Sequence, residues 1–76
     1  MAITVPIHMQ YFETQLSKAV GDCFPDHQTL VQYWGSNDGE HKWRVVVQGS
    51  VKDLTQDQAA LAVGGRREDF RKLFDY

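Results

Sequence analysis

The sequence has a single cysteine, Cys23, and only two prolines, Pro6 and Pro25. One cysteine excludes an internal disulfide, and a small domain without such a staple is expected in a reducing, cytoplasmic setting. The thiol reads either as a nucleophile or as a small apolar residue at a helix end, and the second is the expectation. No window approaches the roughly 18 apolar residues of a membrane span, and neither a membrane partner nor a secretory leader is expected. Strong charge of one sign is also missing, with a formal net of −2. A general polyanion binder needs a strong positive field, so that class is excluded. The small net hides an asymmetry. Residues 1–41 hold one lysine and five carboxylates, net −4, whereas residues 42–76 hold seven basic and five acidic groups, net +2.

What is present suffices for one core. The chain has 76 residues, of which 42% are apolar and 12% aromatic. That is richer than a disordered segment. A second domain would need roughly 50 more residues, so 1–76 is expected to be one domain with no separate cofactor domain. A chain this short buries only about 60% of its unfolded surface, which makes the core thin.

The apolar spacing changes along the chain. Ile3, Val5 and Ile7 alternate over Ala2–Ile7, a strand period. From His8, Met9, Phe12, Leu16, Val20 and Cys23 recur every three or four residues, which predicts an amphipathic helix over 8–20. Gly21 supplies its stop and Pro25 forbids its continuation. Gln28–Trp34 and Lys42–Gln48 are rich in β-branched and aromatic residues and read as strands. The segment 35–41 between them, rich in Gly, Asn and Asp, reads as a hairpin loop. Leu54-Thr55-Gln56-Asp57-Gln58-Ala59 has the pattern of a capping box with a hydrophobic staple. It opens a helix that runs to about Val63, and Gly64-Gly65 precedes a last helix over 66–74.

The expected fold is therefore α+β, a two-layer β-α-β-β-α-α domain whose three-stranded sheet carries its helices on one face. If the first two strands are parallel neighbours, they join by a right-handed crossover. With Val31 and Tyr33 turned to the helices, Leu30, Gln32 and Trp34 point outward and Val46 joins them. Leu30, Trp34 and Val46 then form a candidate partner-binding patch on an open face.

Chemistry-bearing clusters are few. His8, His27 and His41 lie on three elements with no metal spacing, and a zinc site needs four placed ligands, so no metal is expected. Cys23 and His27 are four apart, but Pro25 breaks a shared helix face. Asp38 and Glu40 fall in an exposed loop, which offers none of the burial that acid/base carboxylates need. No nucleophile, base and orienting group assemble, so neither catalysis nor a cofactor is expected. Arg66 and Arg67 open the last helix and Arg71 follows one turn later. The three make a second candidate surface for phosphate, nucleic acid or an acidic protein.

Gln56–Phe74 also matches a helix-turn-helix spacing. Ala60 stands where a small residue belongs between the helices, Gly64 falls in the turn, and Ala59, Val63, Phe70 and Leu73 take buried positions. Arg66, Arg67, Glu68, Arg71 and Lys72 would then face a major groove.

Ile3, Val5 and Ile7, then Leu16-Ser17-Lys18, Phe24-Pro25-Asp26, Val31 and an alternating strand ending at Gly49 give the chain a resemblance over residues 3–49. It resembles the DNA-damage-inducible DinI family of small bacterial and phage proteins. The resemblance implies a β-α-β-β-α fold and a non-enzymatic role in binding a RecA-type recombinase filament. The family's last helix is acidic, whereas residues 66–76 here carry four basic and three acidic groups, net +1. The expected function is a small protein-interaction module, phage-like in size, that regulates or inhibits a larger protein partner. The alternative is a DNA-binding regulator using residues 56–74. Both a monomer and a homodimer remain open, the latter through the open sheet face.

Overall fold

The computed structural model describes residues 4–74. The order is α1 (Ile7–Cys23), β1 (Thr29–Asn37), β2 (Glu40–Val47), β3 (Ser50–Thr55), α2 (Gln56–Val63) and α3 (Arg67–Lys72). The three strands form an antiparallel meander in the order β1-β2-β3, with the helices on one face. The α+β two-layer class follows expectation, but the element order and the parallel crossover do not.

The N-terminal alternation forms no strand over Thr4–Pro6, and the rest of the expected strand, before Thr4, lies outside the described residues. Pro6, with φ −56° and ψ 145°, is the N-cap of α1, and Ile7 is already helical and 86% exposed. Proline suits a helix start because the first amides have no intrahelical partner. At its other end α1 runs through Gly21 to Cys23. Gly21 is not among the residues with positive φ, so it is no left-handed stop. Termination comes from Pro25, which disfavours helical geometry at the residue before it. Accordingly Phe24 has φ −131°, although its N–H still donates to the Val20 carbonyl at 3.1 Å. Met9, Leu16, Val20 and Cys23 on α1 are buried.

The expected loop over 35–41 is much tighter. Asn37 pairs with Glu40 across a two-residue turn, Asp38 at φ 53° and Gly39 at φ 79°. Both central residues are left-handed, the conformation that matches the strand twist. The turn recurs at Gln48, φ 50°, and Gly49, φ 87°, between the paired Val47 and Ser50. This second hairpin produces β3, a strand not anticipated from the residues. Before the first turn, Trp34 and Gly35 together oppose Lys42 as a bulge, between the pairs Tyr33–Trp43 and Ser36–His41.

Trp43, Val45 and Val47 of β2 are fully buried against the helices. The Trp43 indole donates Nε1–H to Gln56 Oε1 at 2.7 Å, so the largest buried side chain leaves no polar atom unpaired. Phe12 of α1 and Tyr33 of β1 pack on its ring at centroid distances of 5.4 and 5.1 Å. The capping box forms as expected. Gln58 N–H donates to Thr55 Oγ1 at 3.2 Å and Thr55 N–H to Gln58 Oε1 at 3.0 Å, with Leu54 and Ala59 buried beside it. In α3, Phe70 is fully buried and lies 6.4 Å from the Phe24 ring.

A Cβ at position 21 would meet only Thr29 Oγ1 at 4.0 Å, an ordinary contact. Gly21→Ala should therefore raise stability by about 0.5–1 kcal/mol, the usual gain of alanine over glycine inside a helix. Denaturant unfolding checks this, and a loss of stability would place Gly21 at a left-handed stop instead.

Candidate functional site

Because side chains alternate across a strand, packing Tyr33, Trp43, Val45, Val47 and Leu54 inward turns their neighbours outward. Two rows cross this outer face in register. Leu30 of β1 pairs with Val46 of β2, which pairs with Val51 of β3. Next to them, Gln32 pairs with Arg44, which pairs with Asp53. Leu30 is 52%, Trp34 46% and Val51 58% exposed, and Val46 is half-buried between its neighbours. The structure thus brings Leu30, Trp34 and Val46 onto one face, as the residues predict, and adds Val51. Only Gly49 hints at the turn that carries the meander on to Val51, since a glutamine stands at the other left-handed position.

The Arg44 side chain lies across this face. Its guanidinium carbon is 3.8 Å from the Trp34 ring centroid, while Nε donates to Asp53 Oδ1 at 2.9 Å and Nη2 to Oδ2 at 3.4 Å. The Arg44 hydrogen bond holds the Asp53 carboxyl below its usual range, and the same bond raises the guanidinium. Cation–π contact and the carboxylate fork limit where the arginine rests, so Trp34 is presented as a positioned ring. An apolar row beside an aromatic anchor and a neutralised ion pair suits desolvation by another macromolecule.

The second candidate surface is built differently. Arg66 pairs with Asp69 of α3, and Arg67 lies 3.9 Å from Asp22 of α1. Arg71 lies 5.6 Å from the Phe24 ring centroid. All three arginines are exposed, and two of them answer local carboxylates. The helix-turn-helix spacing fits only in part. Ala59 and Phe70 are buried and Val63 and Leu73 half-buried as it requires, but Ala60 is exposed, so it does not separate the helices. α3 also spans only six residues.

Cys23 is buried, consistent with its reading as a small apolar residue. Desolvation raises its thiol above the ordinary 9.0, an effect opposed by Arg67 and Arg71. Cys23 closes α1, while His27 follows Pro25 and Asp26, so the two share no helix face. Asp38 lies in the exposed turn beside Glu40, and Glu40 sits 3.5 Å from Lys42. The histidines hold one surprise. His8 and His41 bring their rings within 5.6 Å, and Tyr33 Oη lies 2.7 Å from His41 Nδ1. The contact joins residues 33 positions apart, which spacing could not reveal. Among the described residues no group of three potential metal ligands occurs, and no helix is long and apolar enough to cross a membrane.

Comparison of the chain with known protein families, with characterised proteins and with solved structures finds no match.

Trp34→Ala should leave the protein folded and change stability by about 1 kcal/mol or less, whereas Trp43→Ala should cost about 3–5 kcal/mol. Circular dichroism with urea unfolding reads both, and a reversal of the two would invert the faces. Cys23 yields a pH dependence. Its folded value lies above its unfolded one, so its contribution is complete below the unfolded value and is lost as the pH rises toward the folded value. The stability advantage of the wild type over Cys23→Ala should shrink above about pH 9, and a constant difference would contradict this.

Proposed function

We propose that the protein is a small, non-enzymatic interaction module that regulates or inhibits a larger protein partner through the open face of its sheet. The observation that carries this reading is the in-register row Leu30–Val46–Val51, uncovered across all three strands, with Trp34 under Arg44 on the far side of the adjoining Gln32–Arg44–Asp53 row. Residues in such a row gain nothing for the monomer's core, yet together they form an apolar surface with an aromatic anchor. An apolar patch rimmed by polar groups is the usual form of a protein-docking site. A complementary partner surface is apolar at its centre. It also offers a hydrogen-bond acceptor near the Arg44–Asp53 pair, where the guanidinium has donors to spare.

The DinI-like residues make a RecA-type recombinase filament one specific version of that partner. Arg66, Arg67 and Arg71 form the second proposed surface, where an acidic rim of the partner would compete with Asp69 and Asp22 for the guanidinium groups. The DNA-binding alternative receives less support. A six-residue α3 offers few base contacts, and Arg66 at its N-cap and Arg67 in its first turn already face carboxylates.

Affinity capture with the tagged protein should retain one dominant protein after nuclease treatment and a wash at about 1 M salt, because apolar contacts survive screening and phosphate contacts do not. Trp34→Ala, folded as above, should weaken that complex by about 30-fold or more, the effect of a loss near 2 kcal/mol at a central aromatic. Retention that depends on nucleic acid and on Arg66 or Arg67, with Trp34→Ala unaffected, would overturn the reading in favour of DNA binding.

A further inference from the structure

The sheet has two edges, and they differ. β3 ends the sheet with Lys52 and Asp53 in a six-residue strand. Charged side chains on a short strand are the usual protection against edge pairing. β1 ends it on the other side with Thr29–Asn37, nine residues without a lysine, arginine, aspartate, glutamate or proline. Its one interruption is the bulge at Trp34-Gly35, which leaves Thr29–Tyr33 as a regular strand.

The ladder shows which backbone groups of β1 face away from the sheet. Val47 and Ser50 flank a two-residue turn, so their hydrogen-bonded pair turns Val47 toward β3 and away from β1. Its β1 partner Thr29 is therefore in a non-hydrogen-bonded pair, and Gln28, one residue earlier, accepts from Gln48 N–H at 2.8 Å. By alternation, Thr29, Val31 and Tyr33 present their N–H and C=O groups outward. Among the described residues none of these groups has a partner across that edge.

We infer that this edge takes the β1 strand of a second copy of the chain, antiparallel and centred on Gln32, to give one continuous six-stranded sheet. In that register Val31 exchanges backbone hydrogen bonds with Tyr33 of the second copy, and the inner and outer faces of the two sheets remain aligned. Leu30 then lies opposite Trp34 of the second copy, twice, in non-hydrogen-bonded pairs where side chains approach most closely. A register centred on Val31 would instead set Leu30 against Gln32. The charge pattern favours self-pairing, since an uncharged strand meets its own copy with no like charges opposed. The proposal rests on the strand edge and not on the partner reading of the open face. It enlarges that face, because each Trp34 and Leu30 joins those of the other copy.

Sedimentation of the full chain at rising concentration tests this. The expected result is a dimer of twice the 8.7 kDa chain mass. Gln32→Lys, an exposed substitution that sets two lysines opposite each other, should weaken it at least about tenfold. Gln32→Cys should cross-link on oxidation. The non-hydrogen-bonded pair brings the two Cα atoms to about 4.5 Å, within disulfide reach, while Cys23 stays buried. A species that stays monomeric, a dimer indifferent to Gln32→Lys, or a Gln32→Cys protein that oxidises without a covalent dimer would each overturn the proposal.

Discussion

The Trp43 indole ties two helices to the sheet. It stands on the central strand β2, fully buried, with Leu54 of β3 and Tyr33 of β1 on either side in the ladder. Phe12 of α1 packs on its ring, and Gln56, the first residue of α2, accepts its N–H. A buried indole requires both a shaped apolar site and one acceptor. Meeting these demands places α1 and α2 on the same side of the sheet. Among the described residues no element covers the other side, where Leu30, Trp34 and Val51 are exposed. The proposed docking face of the sheet follows from that asymmetry.

The open face is then shaped by register. Each two-residue turn fixes the pairing of its strands, and a shift by one residue would turn Leu30, Val46 and Val51 inward and Tyr33 and Trp43 out. The left-handed turn residues, Asp38-Gly39 and Gln48-Gly49, therefore matter to the patch although none belongs to it. Arg44 completes the arrangement by bridging Trp34 and Asp53 across the sheet. Exposed ion pairs contribute little to stability, and this one matters by limiting the positions open to the tryptophan.

Much of this was legible in the residues, and the exceptions have physical causes. The spacing of Met9, Leu16, Val20 and Cys23 reveals the buried face of α1, and Thr55 with Gln58 reveals the start of α2, because both signals are local. The alternation of Trp43, Val45 and Val47 against Tyr33 places Leu30 and Trp34 outward. β3 escaped because its pattern is inverted at the sheet edge. Its outward Val51 is apolar and its inward Lys52 is charged, so the expected alternation starts only at Asp53 and Leu54. A glutamine in the left-handed region at 48 also disguised the turn that makes the strand. The alternation of Val5 and Ile7 misled for the opposite reason: Pro6 converts it into a helix start, which leaves Ile7 exposed. The His8–His41 contact depends on long-range packing and has no local signature.

The central claim is that one sheet face is closed by the helices and the other remains open for a partner. Hydroxyl-radical footprinting read by mass spectrometry tests it most directly, first on the free protein and then on the protein captured with its partner. The account predicts rapid labelling of Leu30, Trp34 and Val51 in the free protein, no labelling of Trp43, Phe24 or Phe70, and protection of the first three in the complex. Slow labelling of Trp34 beside rapid labelling of Trp43, or a complex that leaves Leu30, Trp34 and Val51 as reactive as before, would contradict it.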